Sequence, residues 1–118
     1  MAIPAGAKQF TETMDPFDVL DFEVDISTQL QQGEGATSAT LSIPTESTLL
    51  GLTINTTGGY TTTLIGNILR FYLSIILQEQ ANSAFAGGVS LPLEISIITN
   101  SVPARKKQRT VVVRVIQR

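Results

Sequence analysis

Cysteine, histidine and tryptophan are all absent from this sequence of 118 residues. Without cysteine the chain forms neither disulfides nor a thiolate zinc site. Without histidine it lacks the commonest general base and the commonest transition-metal ligand. Charged residues are also scarce, at 15% of the chain, against about 25% in an ordinary soluble domain.

The acidic residues do not supply a site in place of histidine. Asp21, Glu23 and Asp25 are spaced like the first ligands of a calcium-binding loop. Such a loop needs a glycine and then a bidentate glutamate, and Ile26 and Gln32 occupy those positions. We therefore predict no catalytic residue, no metal, no cofactor and no enzymatic activity.

Hydrophobic residues make up 42% of the sequence, so apolar and neutral polar side chains must cover much of the surface. That composition is typical of a subunit whose surface meets neighbours in an assembly. A chain of this length forms one domain. No apolar run reaches the roughly 18 to 20 residues of a membrane helix, and the first residues lack a signal-peptide pattern. We expect synthesis in a cytoplasm, no export and no membrane partner.

Alternation of apolar and polar residues predicts most of the secondary structure, because successive side chains of a strand point to opposite faces. The last thirty residues predict a long antiparallel hairpin. We expect an all-β fold, an antiparallel β-sandwich of the immunoglobulin-like type with six to seven strands. The predicted strands are Leu20–Ile26, Ala39–Ile43, Leu50–Ile54, Asn67–Leu77 and the two hairpin strands around Leu91–Ile97 and Val111–Val115.

The run Asn67–Leu77 is apolar on both faces. A strand of that kind is covered twice, once by its own core and once by something else. A helix over Leu69–Ala84 is the alternative, but the isoleucine, tyrosine and phenylalanine content favours a strand. We therefore assign Phe71 and Tyr72 to a partner contact.

Residues 1–14 mix small and polar side chains without periodicity and end at the chain break Asp15-Pro16. We predict a flexible N-terminal arm over residues 1–14, followed by a β-sandwich domain over residues 15–118. Ile3, Pro4 and Phe10 are the residues of the arm that we expect to dock on a neighbouring subunit. Deletion of the arm should then leave the domain folded and block its incorporation.

Charge is divided unevenly along the chain. Residues 1–59 hold eight acids and one base, whereas residues 60–118 hold seven bases and two acids. We expect the acids of the first predicted strand to face the arginines of the last across one sheet, or to meet them between subunits. The acids are Asp21, Glu23 and Asp25, and the arginines are Arg109, Arg114 and Arg118.

Arg105, Lys106 and Lys107 form the core of the only basic cluster in the sequence. A cluster of this kind can grip a phosphate backbone. The acidic isoelectric point of about 4.9 and the few aromatic residues favour instead a solvated hairpin tip or a contact with an acidic neighbour. We expect no nucleic-acid partner and name these three residues as a candidate protein contact.

Four motifs run in order through nearly the whole chain. They are Asp15-Pro16-x-x-x-Leu20-Asp21-Phe22-x-x-Asp25, Ser38-Ala39-Thr40-Leu41-Ser42-Ile43-Pro44, Gly51-Leu52-Thr53-Ile54 and Arg109-Thr110-Val111-Val112-Val113-Arg114-Val115. Together they resemble a family of small tailed-bacteriophage proteins, the fibre–tail adaptors and related virion structural proteins. Family members commonly carry an aromatic residue where Ile26, Leu41 and Leu91 stand here.

The resemblance implies a virion protein that sits between the tail tube or connector and the tail fibres, as repeated copies in a symmetric ring. Its partners would be other virion proteins and further copies of itself. One alternative is a capsid decoration (cement) protein. A second is a receptor- or carbohydrate-binding module, which needs aromatic rings on an exposed face and has only two tyrosines and five phenylalanines to draw on.

Overall fold

The structure, a computed structural model, describes residues 3–118 and has two β-sheets with a hydrophobic core between them. The predicted all-β character and the stacking of two sheets are confirmed. Eight strands are present in the described residues. They are β1 (Lys8–Met14), β2 (Val19–Asp25), β3 (Ala36–Ser42), β4 (Leu52–Asn55), β5 (Thr63–Ile65), β6 (Ile68–Ile75), β7 (Val89–Thr99) and β8 (Lys106–Val115).

The strands divide between a sheet A, in the order β1-β8-β7-β3, and a sheet B, in the order β2-β6-β4 with β5 also paired to β6. All pairs are antiparallel except β1 with β8, which is parallel. Short helical segments connect the strands. They are the helix α1 (Thr45–Leu49) and three 3₁₀ turns at Ser27–Gln29, Leu77–Glu79 and Ser83–Phe85.

The predicted hairpin at the end of the chain is confirmed as β7 and β8. Leu91 lies opposite Val113, and Leu93 lies opposite Val111. All four side chains are buried, because residues directly opposite each other in a ladder share one face of the sheet. That face of sheet A covers the core.

Three phenylalanines join the two sheets at the centre of the core. The ring of Phe10 in β1 lies 4.8 Å from that of Phe22 in β2 and 6.1 Å from that of Phe71 in β6, measured between centroids. Rings at these separations pack favourably beyond the area that they bury. The partner contact predicted for Phe10 and Phe71 is therefore corrected: both are buried, at 9% and 0% exposure, and present almost no surface to another molecule.

Residues 8–14 form β1 instead of belonging to the predicted arm. Met1 and Ala2, which were assigned to the same arm, lie outside the described residues. Lys8 is beside Val111 and Met14 is beside Val115, with an irregularity in the register between them. Burial of Phe10 and Met14 fixes the strand, because two large apolar side chains leave water when it pairs.

The run around residue 70 is a strand, β6, and the helical alternative is wrong. Its inward residues Leu69, Phe71 and Leu73 are fully buried, whereas Arg70 is exposed and Tyr72 half-buried on the outer face. The outer face is therefore less apolar than the sequence suggested. Within residues 3–118 nothing from the opposite sheet covers it.

The expected pairing of the acids of β2 with the arginines of β8 is wrong, because the two strands belong to different sheets. Asp21 and Glu23 lie next to Arg70 of β6 instead. Arg109 of β8 donates to the side chain of Gln29, in the 3₁₀ turn that follows β2.

Candidate interaction surfaces

The outer face of sheet B carries an exposed mixture of aromatic, aliphatic and charged side chains. Tyr60, in the connection before β5, packs against Tyr72 with ring centroids 5.2 Å apart. We call the five residues Tyr60, Ile65, Ile68, Arg70 and Tyr72 the tyrosine face. Rigid aromatic rings and an arginine on one surface are the residue types enriched in protein interfaces.

Arg70 is held at the centre of the tyrosine face by acids of β2. Its Nε donates to Glu23 Oε1 at 3.0 Å and lies 3.9 Å from Asp21 Oδ2. The hydrogen bond to Glu23 raises the pKa of Arg70 above its usual value. The guanidinium is thus kept in a fixed position and still exposes nearly half of its surface, at 47%.

A shallow groove of about 280 Å³ lies beside this arginine and is lined by Glu23, Thr63, Ile65, Ile68 and Arg70. Ile65 is 75% exposed. Its position on β5, opposite Ile68, places two aliphatic side chains next to a charged pair. Such a surface suits a protein side chain or an extended segment better than a small enclosed ligand.

The basic cluster does not form one surface. Arg105 donates to both carboxylate oxygens of Glu34, with distances of 3.0 and 2.9 Å. The Glu34 side chain is only 3% exposed, and the guanidinium of Arg105 holds the pKa of that carboxyl at about 2. Arg105 thus fastens the β2–β3 connection to the β7–β8 loop, and its assignment as a partner contact stays a prediction.

A second hydrogen-bonded pair supports the same junction. The backbone N–H of Gly35 donates to Asn100 Oδ1 at 2.9 Å, and the backbone N–H of Asn100 returns a bond to the carbonyl of Gly35. The other two residues of the predicted cluster are also near the surface, Lys106 exposed and Lys107 half-buried. They lie opposite Ile98 and Ile97 and so point to opposite faces of sheet A.

Ile3 and Pro4 are exposed and precede β1. The backbone N–H of Ala7 donates to the carbonyl of Pro4 at 3.1 Å, which folds this segment into a turn. The turn lies against β8 at Gln108 and Arg109. These two predicted contact residues therefore remain available to a partner, but on a segment that follows the edge of sheet A.

A deeper cleft of about 240 Å³ opens between the sheets next to this turn. We call it the end cleft. Its floor is apolar and its rim is polar. The floor is made by Val24, Ile26, Ile95, Ile97 and Val111, and the rim includes Gly6, Lys8, Asp25, Thr28, Gln29 and Arg109.

The end cleft has a plain origin in strand pairing. In the described part of the chain β1 meets β8 only from Val111 onward, so sheet A has one strand fewer beside Lys106–Thr110. Arg109 lies opposite Ile95, a core residue, and therefore points toward the space between the sheets. There it carries a positive charge at the mouth of an apolar recess.

Large apolar side chains are also exposed at the opposite end of the molecule. Phe17 is 62% exposed at the tip of the β1–β2 turn, and Leu49 of α1 is 70% exposed. Ile76 and Leu77, which follow β6, add exposed aliphatic surface. The backbone N–H of Ile76 donates to the carbonyl of Gly51 at 2.8 Å, which brings the end of β6 close to the α1–β4 connection.

Gly51 is required at this junction. Its φ of +86° is one that side chains rarely adopt, and a Cβ there would lie 2.7 Å from Cβ of Glu79. A larger residue is therefore excluded both by backbone strain and by space. The close approach holds the exposed aliphatic residues on a rigid support.

No three histidine, cysteine, aspartate or glutamate residues within 3–118 come together as a metal-binding group. Over the same range, no helix has the length and apolar character needed to cross a membrane. The chain matches no protein-family model, no curated protein and no solved structure.

Sequence reasoning named Tyr72, Ile3 and Pro4, which are accessible at the surface and stay predictions, but it did not name Phe17 or the end cleft. A signal for Phe17 was present, since it follows proline in the turn Asp15-Pro16-Phe17-Asp18, where side chains point outward. The end cleft had no local signal. It depends on where β1 begins to pair with a strand about one hundred residues away.

Proposed function

We propose that this protein is a structural subunit of a tailed-bacteriophage particle, a fibre-to-tail adaptor that joins the tail tube or connector to tail fibres. The observation that carries the proposal is the tyrosine face, where Tyr60 and Tyr72 stack beside the fixed Arg70. Rigid aromatic and arginine side chains on a flat outer sheet supply binding energy through packing. The motif resemblance is the reason for proposing a phage particle and virion proteins as partners.

The proposed partners are other virion proteins, and further copies of this chain arranged as a ring in the tail region. A ring repeats each contact around its axis, so weak contacts add through multivalency. The low charge of the surface suits such a role. We propose a binding and not an enzymatic function, without cofactor and without nucleic acid.

We also propose that the sandwich is immunoglobulin-like. An immunoglobulin domain places its strands B, E and D in one sheet and C, F and G in the other. The order β2-β6-β4 and the order β3-β7-β8 support this correspondence, with β1 added beside the last strand.

Imaging of intact particles by cryo-electron microscopy tests the adaptor role. We expect about a dozen copies per particle at the tail, with the tyrosine face against another protein. Replacement of Tyr72 by alanine should leave the protein folded and reduce its incorporation, whereas Thr40→Ala on the outer face of sheet A should not. Copies spread in hundreds over the capsid shell would instead support a decoration protein.

One observation favours a second candidate, a carbohydrate- or receptor-binding module. Tyr60 and Tyr72 are both solvent-accessible and 5.2 Å apart, and exposed aromatic rings are what sugar binding requires. Titration of the purified protein with a panel of oligosaccharides tests it. Saturable binding that is lost in Tyr60→Ala would favour this module, and absence of binding would leave the adaptor role.

A further inference from the structure

We propose that copies of this chain associate head to tail, with Phe17 of one copy inserted into the end cleft of the next. The contact specifies how the ring of the proposed function is built, and in that respect it rests on that function. It involves neither the tyrosine face nor any residue on which the adaptor contact depends.

The inserted element is rigid before binding. The backbone N–H of Asp18 donates to the carbonyl of Asp15 at 2.9 Å, and the N–H of Phe17 donates to Asp15 Oδ1 at 2.8 Å. The backbone N–H of Arg118 donates to Asp15 Oδ2, also at 2.8 Å. With Pro16 buried beneath it, the turn presents Phe17 outward, and a preorganised aromatic side chain loses little entropy on binding.

The end cleft has the size and the lining to receive this ring. Its volume is about 240 Å³, whereas an apolar cavity of roughly 150 Å³ is enough to bind benzene. Ile97 and Val24 in its floor offer apolar contact. Moving an aromatic side chain from water into such a site lowers the free energy. A ring in this position would sit between the two sheets at their open edge.

Charge makes the two surfaces complementary. Asp15 and Asp18 flank Phe17, and the hydrogen bonds from Phe17 and Arg118 to Asp15 lower the pKa of its carboxyl, which stays ionised at neutral pH. Lys8 and Arg109 supply two positive charges at the rim of the cleft, against the single acid Asp25. Opposite charges around a buried apolar anchor steer the partners and fix their orientation.

Position makes the contact run from head to tail. The turn precedes β2 and the cleft begins where β2 ends, so the two are separated by the length of a seven-residue strand, roughly 24 Å at 3.4 Å per residue. One copy therefore cannot fill its own cleft. A contact between two different patches is heterologous, and it closes into a ring or continues as a filament.

Analytical ultracentrifugation of the full chain tests the contact with two complementary variants. Phe17→Ser loses the inserted ring and keeps the cleft, whereas Lys8→Glu/Arg109→Glu reverses the rim and keeps the turn. We expect the unmodified protein to gain mass with concentration and each variant alone to associate at least about ten-fold more weakly. A mixture of the two should form a heterodimer and nothing larger, because the intact turn of the rim variant meets the intact cleft of the Phe17→Ser copy.

A second mixture tests the same contact without any change of charge at the rim. Phe17→Ser is mixed with the cleft-filling variant Thr28→Trp, whose charges are unchanged, and a heterodimer is again expected. In that pair the intact turn binds the intact cleft of the Phe17→Ser copy. No heterodimer in this second mixture would overturn the proposal.

Leu49→Ser is the matched control, since Leu49 is as exposed as Phe17 and lies at the same end of the molecule. It should leave association unchanged, because only the ring on the β1–β2 turn enters the cleft. A monomeric unmodified protein at all concentrations, or equal losses in Leu49→Ser and Phe17→Ser, would also overturn the proposal. Neither result would affect the adaptor role, which is decided by the location of the chain in the particle.

Discussion

Phe71 and Tyr72 are neighbours in one strand and have opposite roles. Phe71 is fully buried among Phe10 and Phe22, whereas Tyr72 lies on the outer face against Tyr60. Both were predicted to contact a partner, because β6 has apolar residues on both of its faces. The difference shows that composition alone does not distinguish a core residue from an interface residue in such a strand.

What distinguishes them is the second sheet. Leu69, Phe71 and Leu73 lie in the core between the sheets, where Phe71 meets Phe10 of β1 in sheet A. The sequence of β6 does not encode that contact. In the part of the chain that the structure describes, the outward residues have no such cover. The inner face therefore determines stability, and the outer face is free to bind.

The largest expected effect concerns β1, which carries Phe10 to the inner face of β6. Deletion of residues 1–14 should largely unfold the protein, because removing Phe10 and Met14 from a core costs about 2–5 kcal/mol each out of a total of roughly 5–15 kcal/mol. Deletion of residues 1–7 should leave it folded. Circular dichroism during urea unfolding measures both. A stable 15–118 fragment would contradict the role of β1 in the core and support the predicted arm over residues 1–14.

The central comparison is tested by two alanine substitutions in adjacent positions. Phe71→Ala should lower the free energy of unfolding by about 3–5 kcal/mol, since it opens a cavity in the core. Tyr72→Ala should lower it by about 1 kcal/mol or less, mainly through the lost contact with Tyr60. Chemical denaturation gives both values, and similar losses would contradict the division between the two faces.

The same contrast between enclosed and open groups applies to two arginine–glutamate pairs. The pKa of Glu34 is about 2 in the folded protein against an ordinary 4.5, so its stabilising contribution is complete above pH 4.5 and disappears as the pH falls toward 2. Glu34→Gln should therefore flatten the loss of stability over this range. Thermal melts at each pH measure this change, and at neutral pH Glu23→Gln, whose carboxylate is 47% exposed, should cost less stability than Glu34→Gln.

The smallest effect is expected on β5, where Leu64 and Ile65 repeat the comparison in a shorter strand. Ile65 is 75% exposed, so Ile65→Ser should change the free energy of unfolding by no more than about 0.5 kcal/mol. Leu64 packs against the core, and Leu64→Ser should cost measurably more. Incorporation into particles should fall in Ile65→Ser alone if the tyrosine face is the adaptor contact.

Local alternation predicted β2, β6, β7 and β8, because each has at least three inward apolar residues at a spacing of two. It missed β1, where Phe10 and Met14 are four apart and the register shifts between Gln9 and Thr13. It also missed β5, which has only three residues, and α1, which ends at Leu49, just before the strand predicted over Leu50–Ile54.

The contacts between distant segments were beyond the sequence for a different reason. Glu34 and Arg105 are 71 residues apart, and no periodicity relates them. The acidic first half and the basic second half of the chain suggested that β2 pairs with β8. In the structure β2 pairs with β6, so the acids of β2 lie beside Arg70. The whole fold decides which strands share a sheet. The residue pattern of one strand therefore predicts which of its residues face inward, but not which strands lie beside it.

The parallel pairing of β1 with β8 has a consequence for how the protein is made. The partner of Lys8 is Val111, so the first strand must wait on the ribosome until about one hundred further residues have been translated. The entropy cost of closing a loop of that length comes before the stabilising contacts form, and this makes folding slow. At a synthesis rate of roughly 5–20 residues per second, the nascent β1 stays unpaired for several seconds, with Phe10 and Met14 open to chaperones.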